Sequence, residues 1–286
     1  LSRAFVLEPL RDLTPNTLLD GETIEVHAMR IAAASRNRKN GALKGDGERA
    51  GGGGRAATHA PEAEFKVRYP TLMGIVNVTP DSFSDGGRFL EVGSALSQAR
   101  RLVNDGAGII DVGAESTRPN GTPVDPESEW ARLEPVLRSL RELREELRAV
   151  EGRDLFRVSI DSRNASTVRS ALRLGVDIVN DVTGFRSLEM LEVAEETEVP
   201  LVFMHSLSIP VVKGESLPHG RDPVEVLMDW ARERLAEFDR RGISRERLIF
   251  DPGIGFGKTV RQNWDVLDQI ERFHDLEVPL LVGHSR

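Results

Sequence analysis

Gly74-Ile-Val-Asn-Val-Thr-Pro-Asp-Ser-Phe-Ser-Asp-Gly-Gly87 starts as the apolar run of a buried strand and becomes a polar loop within five residues. It gathers an amide (Asn77), two carboxylates (Asp81 and Asp85), three hydroxyls (Thr79, Ser82 and Ser84) and the ring of Phe83. The same change from apolar run to polar end recurs along the chain. Short β-rich runs occupy 71–78, 108–113, 156–160, 176–180, 200–204, 247–250 and 279–283. Between them lie segments with helical spacing, such as Ala95, Leu96, Ala99, Leu102, Val103 and Val224, Leu227, Met228, Ala231, Leu235. Strand then helix, repeated, builds βαβ units and a parallel sheet. The seven runs predict an α/β fold, a (β/α)8 TIM barrel truncated after the seventh strand. A doubly wound open sheet is the alternative. It wants a dinucleotide glycine fingerprint after its first strand, where Asn77-Val-Thr-Pro80 stands instead.

Composition narrows the function classes. A chain of 286 residues can bury a large core, and a net charge of −8 argues against nucleic acid as the main partner. With no cysteine, disulfides and thiolate metal sites are impossible. No apolar run approaches the ~20 residues that span a bilayer, so no membrane role is expected. A cytoplasmic location follows as the expectation, organellar if the source is eukaryotic, and a homo-oligomer stays open.

The ends differ from the middle. Residues 1–28 carry some apolar pattern, and 29–68 read as a flexible linker, with Arg36-Asn-Arg-Lys39, Gly51-Gly-Gly-Gly54 and no large apolar cluster. The barrel is expected over 69–286. Val278-Pro-Leu-Leu-Val-Gly-His-Ser-Arg286 reads as a strand that has just reached its loop, so the natural chain is expected to continue.

In a parallel barrel, chemistry collects at the carboxyl ends of the strands. Strand one ends in Asn77 and Asp81, and strand two offers Asp111 and Glu115-Ser-Thr-Arg118. Strand three brings Asp161, strand four Asn180-Asp181, strand five His205, strand six Asp251 and strand seven Ser285-Arg286. Polar residues also simply mark strand ends, but seven in register would line one mouth with acceptors and amides. Such a ring suits a flat polar heterocycle. A 2-amino-4-oxo-pyrimidine edge offers two adjacent N–H donors that one carboxylate accepts as a pair, and an amide such as Asn180 reads mixed edges. Asp161 and Asp251 are both candidates for the paired acceptor, and spacing does not choose between them.

Gly253-Ile-Gly-Phe-Gly-Lys-Thr259 imitates a phosphate-cradling loop, but Pro252 stands where its first glycine belongs. A site-lining turn followed by a helix start is the better reading. His205 and His284 lack the spacing of a zinc motif, so hydrogen bonding or packing is expected of them. Trp130, Trp230 and Trp264 fall on helices and are read as packing residues.

Taken together in order and spacing, several motifs make residues 70–286 resemble dihydropteroate synthase. They are Met73–Gly87, Gly106-Ala-Gly-Ile-Ile-Asp-Val-Gly-Ala-Glu-Ser-Thr-Arg-Pro119, Ser159-Ile-Asp161, Val179-Asn-Asp-Val-Thr-Gly184, Met204-His205, Asp251-Pro-Gly-Ile-Gly-Phe-Gly-Lys258 and Val282-Gly-His-Ser-Arg286. The resemblance implies a barrel that joins p-aminobenzoate to 6-hydroxymethyl-7,8-dihydropterin diphosphate, releasing pyrophosphate and making 7,8-dihydropteroate for folate synthesis. It implies that Asn77 contacts a Mg2+ travelling with the diphosphate. Asp81, Phe83 and Asp85 would belong to a closing first loop, and Thr117, Arg118 and Pro119 to a second. Asp161, Asn180 and Asp251 carry over as pterin contacts, Met204 and Phe256 as walls, and Ser285 as the contact to the p-aminobenzoate carboxylate.

Two other readings share the pterin contacts: a methyltetrahydrofolate methyltransferase barrel, which would not need Ser116-Thr-Arg-Pro119, and a catalytically silent pterin-binding domain. The chain also departs from the family pattern. It stops before the family's pterin-contacting lysine and eighth strand, so residues 1–286 alone are expected to have little synthase activity. The stretch Ser206–Gly214 lacks the usual arginine-glycine pattern. At the other end, Leu1–Pro15, continuing through Asp20-Gly-Glu22, resembles the tail of 6-hydroxymethyl-7,8-dihydropterin pyrophosphokinase. That implies a parent fusing two folate enzymes.

Overall fold

Strand and helix alternate along the chain as the hydrophobic periods require. The structure, a computed structural model, describes residues 18–19, 22–23, 70–78, 88–115 and 124–283. The chain divides into two units, Leu1–Lys66 and Val67–Arg286. In the first, the described residues are two short antiparallel strands, Leu18–Leu19 and Glu22–Thr23. The resemblance noted for Leu1–Pro15 lies outside the described residues.

The second unit holds a parallel six-stranded sheet in sequential order. Its strands are β1 (Leu72–Asn77), β2 (Ala107–Gly113), β3 (Arg157–Asp161), β4 (Ile178–Asp181), β5 (Leu201–Met204) and β6 (Leu248–Asp251). The crossover helices are α1 (Arg88–Asn104), α2 (Pro126–Glu151), α3 (Ala165–Arg173), α4 (Leu188–Glu196), α5 (Pro223–Arg240) and α6 (Val260–Asp268). This is the succession of a truncated (β/α)8 barrel, in which every neighbour in sequence is a neighbour in the sheet.

The seventh expected strand is reduced to one parallel bridge, Phe250 to Leu280. Phe250 donates to the Pro279 carbonyl at 2.9 Å and accepts from Leu281 N–H at 2.8 Å. Pro279 has no N–H of its own to extend the ladder, which helps to keep this pairing short.

Helix boundaries follow local chemistry. Asp125 caps α2 by accepting from Ser128 N–H at 2.9 Å, and Pro126 fills the first turn, where its missing N–H costs nothing. Gly152 ends the same helix at φ 71°. Thr259 and Gln262 form a capping box that starts α6, the helix start expected after the glycine-rich turn.

The two faces of the sheet carry different cores. Outward-facing Ile110, Val112, Val158, Ile160, Val179, Leu201, Phe203, Leu248 and Phe250 are buried under the helices, against residues such as Leu133, Leu140, Val168, Leu227 and Phe238. Inward-facing Ile109, Ile178 and Val202 form a separate apolar layer with Met73, Ile249 and Leu281. Because strand side chains alternate with period two, the next inward residue on each strand stands one layer nearer the carboxyl ends. Those residues are Asp111, Asn180, Met204 and Asp251, with Asp161 beside them. The dry lower layer therefore sets the floor of a polar mouth.

Of the tryptophans, Trp130 and Trp230 pack against the core, and Trp230 stacks on Phe203 at 6.2 Å between ring centroids. Trp264 does not pack as expected. It lies on the outer face of α6 with 47% of its surface exposed.

Candidate functional site

The strand register assembles the expected residues side by side. Asn77 pairs with Gly113, Gly113 with Asp161, Asp161 with Asn180, and Met204 with Asp251. Gly113 matters to this arrangement, because an added Cβ there would stand 3.1 Å from Asp161 Oδ2. The missing side chain leaves room for the carboxylate.

Asn180 is held in one orientation. Its Nδ2 donates to Asp111 Oδ2 at 3.1 Å inside the mouth. One N–H committed to a carboxylate fixes the amide, leaving its oxygen and its second N–H to offer. Asp111 was among the strand-two residues read from sequence, but its role in orienting Asn180 was not. Its Oδ1 and the Ser159 hydroxyl are buried without a partner among the described residues.

The carboxylates share a low-dielectric, acidic neighbourhood. Burial pushes the Asp161 carboxyl well above its ordinary value, and the charges of Asp111, Asp181, Glu129 and Glu115 push it the same way. Burial likewise raises Asp111, against the Ser159 and Asn180 side chains beside it. Asp251 is raised by burial to about 7, although the Gly253 N–H and the Lys258 charge pull it down. Carboxylates so poised gain from a ligand that brings N–H donors, because the ligand supplies the partners that burial removed.

Asp251 Oδ1 accepts from Gly253 N–H at 2.7 Å. Among the described residues no side chain donates to its other oxygen. After Asp251 the chain makes a turn in which Gly253, Gly255 and Gly257 take φ of 66°, 89° and 69°. Only glycine enters that region without strain. Gly253 has a second constraint, since a Cβ there would overlap the His205 carbonyl oxygen. The turn carries the half-buried Phe256, while Met204 is buried beside Asp251.

Lys258 was missed as a site residue. A phosphate-loop lysine would project toward a ligand, but this one is buried beneath the turn. Its Nζ donates to the Gly253 carbonyl at 2.8 Å and the Phe256 carbonyl at 3.1 Å, and lies 3.1 Å from His205 Nδ1. Burial lowers Lys258 to about 7 and His205 to about 3, with the Lys258 charge adding to the effect on His205. A neutral imidazole offers Nδ1 as an acceptor to the ammonium. His205 also packs edge-on against Trp230 at 5.0 Å, the hydrogen-bonding and packing role expected of it.

The stretch after His205, whose sequence departs from the family pattern, is tied down locally. Ser206 Oγ donates to the Val182 carbonyl at 2.8 Å, and Arg186 donates to the Ser206 and Leu207 carbonyls.

Asn77 ends β1 with its side chain exposed. Among the described residues no three His, Asp or Glu side chains are grouped to hold a metal. Also among them, no helix is long and apolar enough to cross a membrane. Asp81, Phe83, Asp85, Thr117, Arg118, Pro119 and Ser285 lie outside the described residues. Asp161, Asn180, Met204 and Asp251 are thus the expected residues that strand register places at the mouth, and Phe256 follows on the turn after Asp251.

The pterin binding enzyme family profile matches residues 73–286. A probable bifunctional folylpolyglutamate synthase/dihydropteroate synthase of Haloferax volcanii is 41% identical over 214 residues, covering 75% of this chain and 24% of its own length. The chain thus spans about a quarter of that relative. Dihydropteroate synthase of Escherichia coli is 37% identical over 227 residues, covering 79% of this chain and 77% of its own. The solved structure of Xanthomonas albilineans dihydropteroate synthase with 4-aminobenzoic acid is 36% identical and superposes with a TM-score of 0.65, covering 75% of this chain and 72% of that one. On the profile match and the 77% of the bacterial enzyme that it covers, the chain belongs to the pterin-binding enzyme family, among the dihydropteroate synthases.

Proposed function

We propose that the protein joins p-aminobenzoate to 6-hydroxymethyl-7,8-dihydropterin diphosphate, forming 7,8-dihydropteroate and pyrophosphate. One observation carries this reading beyond family membership: Asp161, oriented Asn180 and Asp251 converge on one mouth above an apolar floor. The half-buried Asp161, the buried Asp251 and a fixed amide match the donor-rich amino-oxo edge of a pterin.

In this reading Asp251 accepts the paired N–H donors with both carboxylate oxygens, Oδ1 through the lone pair that Gly253 leaves free, and Asp161 and Asn180 meet the remaining polar edge. Met204 and Phe256 close on the ring faces. So held, the pterin presents its methylene carbon toward the loops at the strand ends. The C–O bond to the diphosphate breaks with its electron pair leaving on oxygen. The electron-rich ring spreads the resulting positive charge, the aniline nitrogen forms the new C–N bond, and its proton is released. An aniline is already nucleophilic, so positioning and water exclusion matter more than a strong base. Thr117, Arg118 and Pro119 serve the second substrate, with Arg118 offering a cation near the leaving charge and Ser285 taking the p-aminobenzoate carboxylate. Asp81, Phe83 and Asp85 belong to the loop that closes over the reacting centre.

The described residues fit a Mg2+ that arrives on the diphosphate rather than one held in a dedicated cage. Such an ion keeps waters and phosphate oxygens and needs few protein ligands, for which the exposed Asn77 amide is the candidate. When bound, it neutralises charge on the leaving diphosphate. Residues 1–28 are proposed to be the end of a preceding pyrophosphokinase-like domain, and 29–68 its tether to the barrel.

Calorimetric titration with a non-reacting 6-hydroxymethylpterin tests the reading. Asp161→Asn and Asp251→Asn should each weaken binding, whereas unchanged dissociation constants in both variants would remove the strand-end layer from this role.

A further inference from the structure

Beyond the residues that touch the pterin in this reading, Lys258 is unusual. It is a lysine with only 8% of its surface exposed, with no carboxylate among the described residues in direct hydrogen-bond contact. Lysine seldom gives up water unless a specific arrangement replaces it. Here the replacement consists of two carbonyls of its own turn and one imidazole nitrogen from the end of β5.

We propose that Lys258 is a positioning residue for the pterin site, pinning the Gly253–Phe256 turn to His205 while supplying the buried positive charge that faces Asp251. The proposal rests on the pterin reading of the strand-end layer. Gly253 links the two groups: its N–H donates to Asp251 Oδ1 at 2.7 Å, and its carbonyl accepts from Lys258 Nζ at 2.8 Å. The Phe256 carbonyl takes a second Lys258 hydrogen bond, so the ammonium also fixes the backbone of the residue that the pterin reading makes a wall of the site.

The surrounding charges make the arrangement responsive. Asp251 is held at about 7 and Lys258 at about 7, each favouring the charged form of the other. Asp111 opposes the Asp251 charge from β2, and Arg186 adds positive charge around His205 from the β4–α4 connection. His205, lowered to about 3, stays neutral above that pH and remains an acceptor. A ligand that brings two N–H donors to Asp251 favours its carboxylate, and the Lys258 ammonium is favoured with it.

The test measures the 6-hydroxymethylpterin dissociation constant between pH 5.5 and 7.5 in the full-length protein, Lys258→Met and Lys258→Arg. Binding that needs the Asp251 carboxylate weakens as pH falls through about 7. Without the facing cation that carboxylate is harder to form. Lys258→Met should therefore bind about tenfold more weakly near neutrality, with the loss growing as pH falls, and Lys258→Arg should recover part of the pH dependence. A loss by the same factor at every pH, or no loss, overturns the proposal. If Lys258→Met is not recovered folded, the unsubstituted protein carries the test: the 15N resonance of Lys258 Nζ must shift when the pterin binds, and an unmoved resonance overturns it. Failure of the pterin reading itself shows separately, as absence of pterin binding by the unsubstituted protein.

Discussion

Asn180 and Asp111, 69 residues apart in sequence, meet inside the mouth through one hydrogen bond, Nδ2 to Oδ2 at 3.1 Å. The contact makes Asp111 the group that orients Asn180. Replacing Asp111 by Ala should free the amide to rotate and weaken pterin binding by about 1–2 kcal/mol, roughly tenfold. Asp111→Asn, which keeps an oxygen acceptor for Asn180, should lose less. Paired titrations of the two variants check the order.

Asp251→Asn should separate stability from binding. The folded state raises the Asp251 pKa to about 7 from its ordinary 3.8, so between those values it retains a proton that the unfolded chain has released. Stability from this group is therefore lost as pH rises through that window. Lys258, lowered to about 7, is charged in both states until pH nears 7, so its opposite slope enters only at the top of this window. Asn keeps the oxygen that accepts from Gly253, so the variant should gain on the parent by on the order of 1–2 kcal/mol between pH 5 and pH 7 while binding pterin more weakly. Urea unfolding at both pH values reads the difference. A gap that shrinks with rising pH contradicts the assignment.

The alternating pattern made the sheet legible because each strand is a short apolar run and each helix an amphipathic one. Asp161, Asn180 and Asp251 could be read directly, since period two and a strand boundary together place an inward residue at the mouth. Lys258 could not be read that way. In sequence it looks like a solvated charge before a helix cap, and only the three positive-φ glycines turn it under the chain. The orienting role of Asp111 was hidden for a related reason: its partner is settled by sheet register, which no local window contains. Trp264 shows the reverse error, because helical spacing alone did not reveal that its side of α6 faces outward.

Gly253→Ala should be among the most damaging single substitutions. The residue sits at φ 66°, and a Cβ would overlap the His205 carbonyl oxygen, which belongs to backbone that cannot swing aside. A loss of about 3 kcal/mol or more is expected, readable as a fall in thermal midpoint. Gly152→Ala, where an added Cβ meets nothing within 4 Å, should cost far less despite its φ of 71°. Equal losses would show that the turn has slack.

Arg118→Ala separates the second-substrate loop from the pterin pocket. Turnover should fall on the order of 100-fold and p-aminobenzoate capture should weaken, while the dissociation constant for a non-reacting pterin stays nearly unchanged. A surface ion pair in its place would be worth less than ~1 kcal/mol, and the variant would then turn over almost normally. Steady-state kinetics with varied p-aminobenzoate, beside a pterin titration, reads both quantities.

The most direct measurement is product formation by the complete parent protein given 6-hydroxymethyl-7,8-dihydropterin diphosphate, p-aminobenzoate and Mg2+. The account predicts 7,8-dihydropteroate and pyrophosphate in equal amounts, with no methyl transfer when methyltetrahydrofolate is offered instead. Tight pterin binding without product, or methyl transfer without condensation, would contradict it.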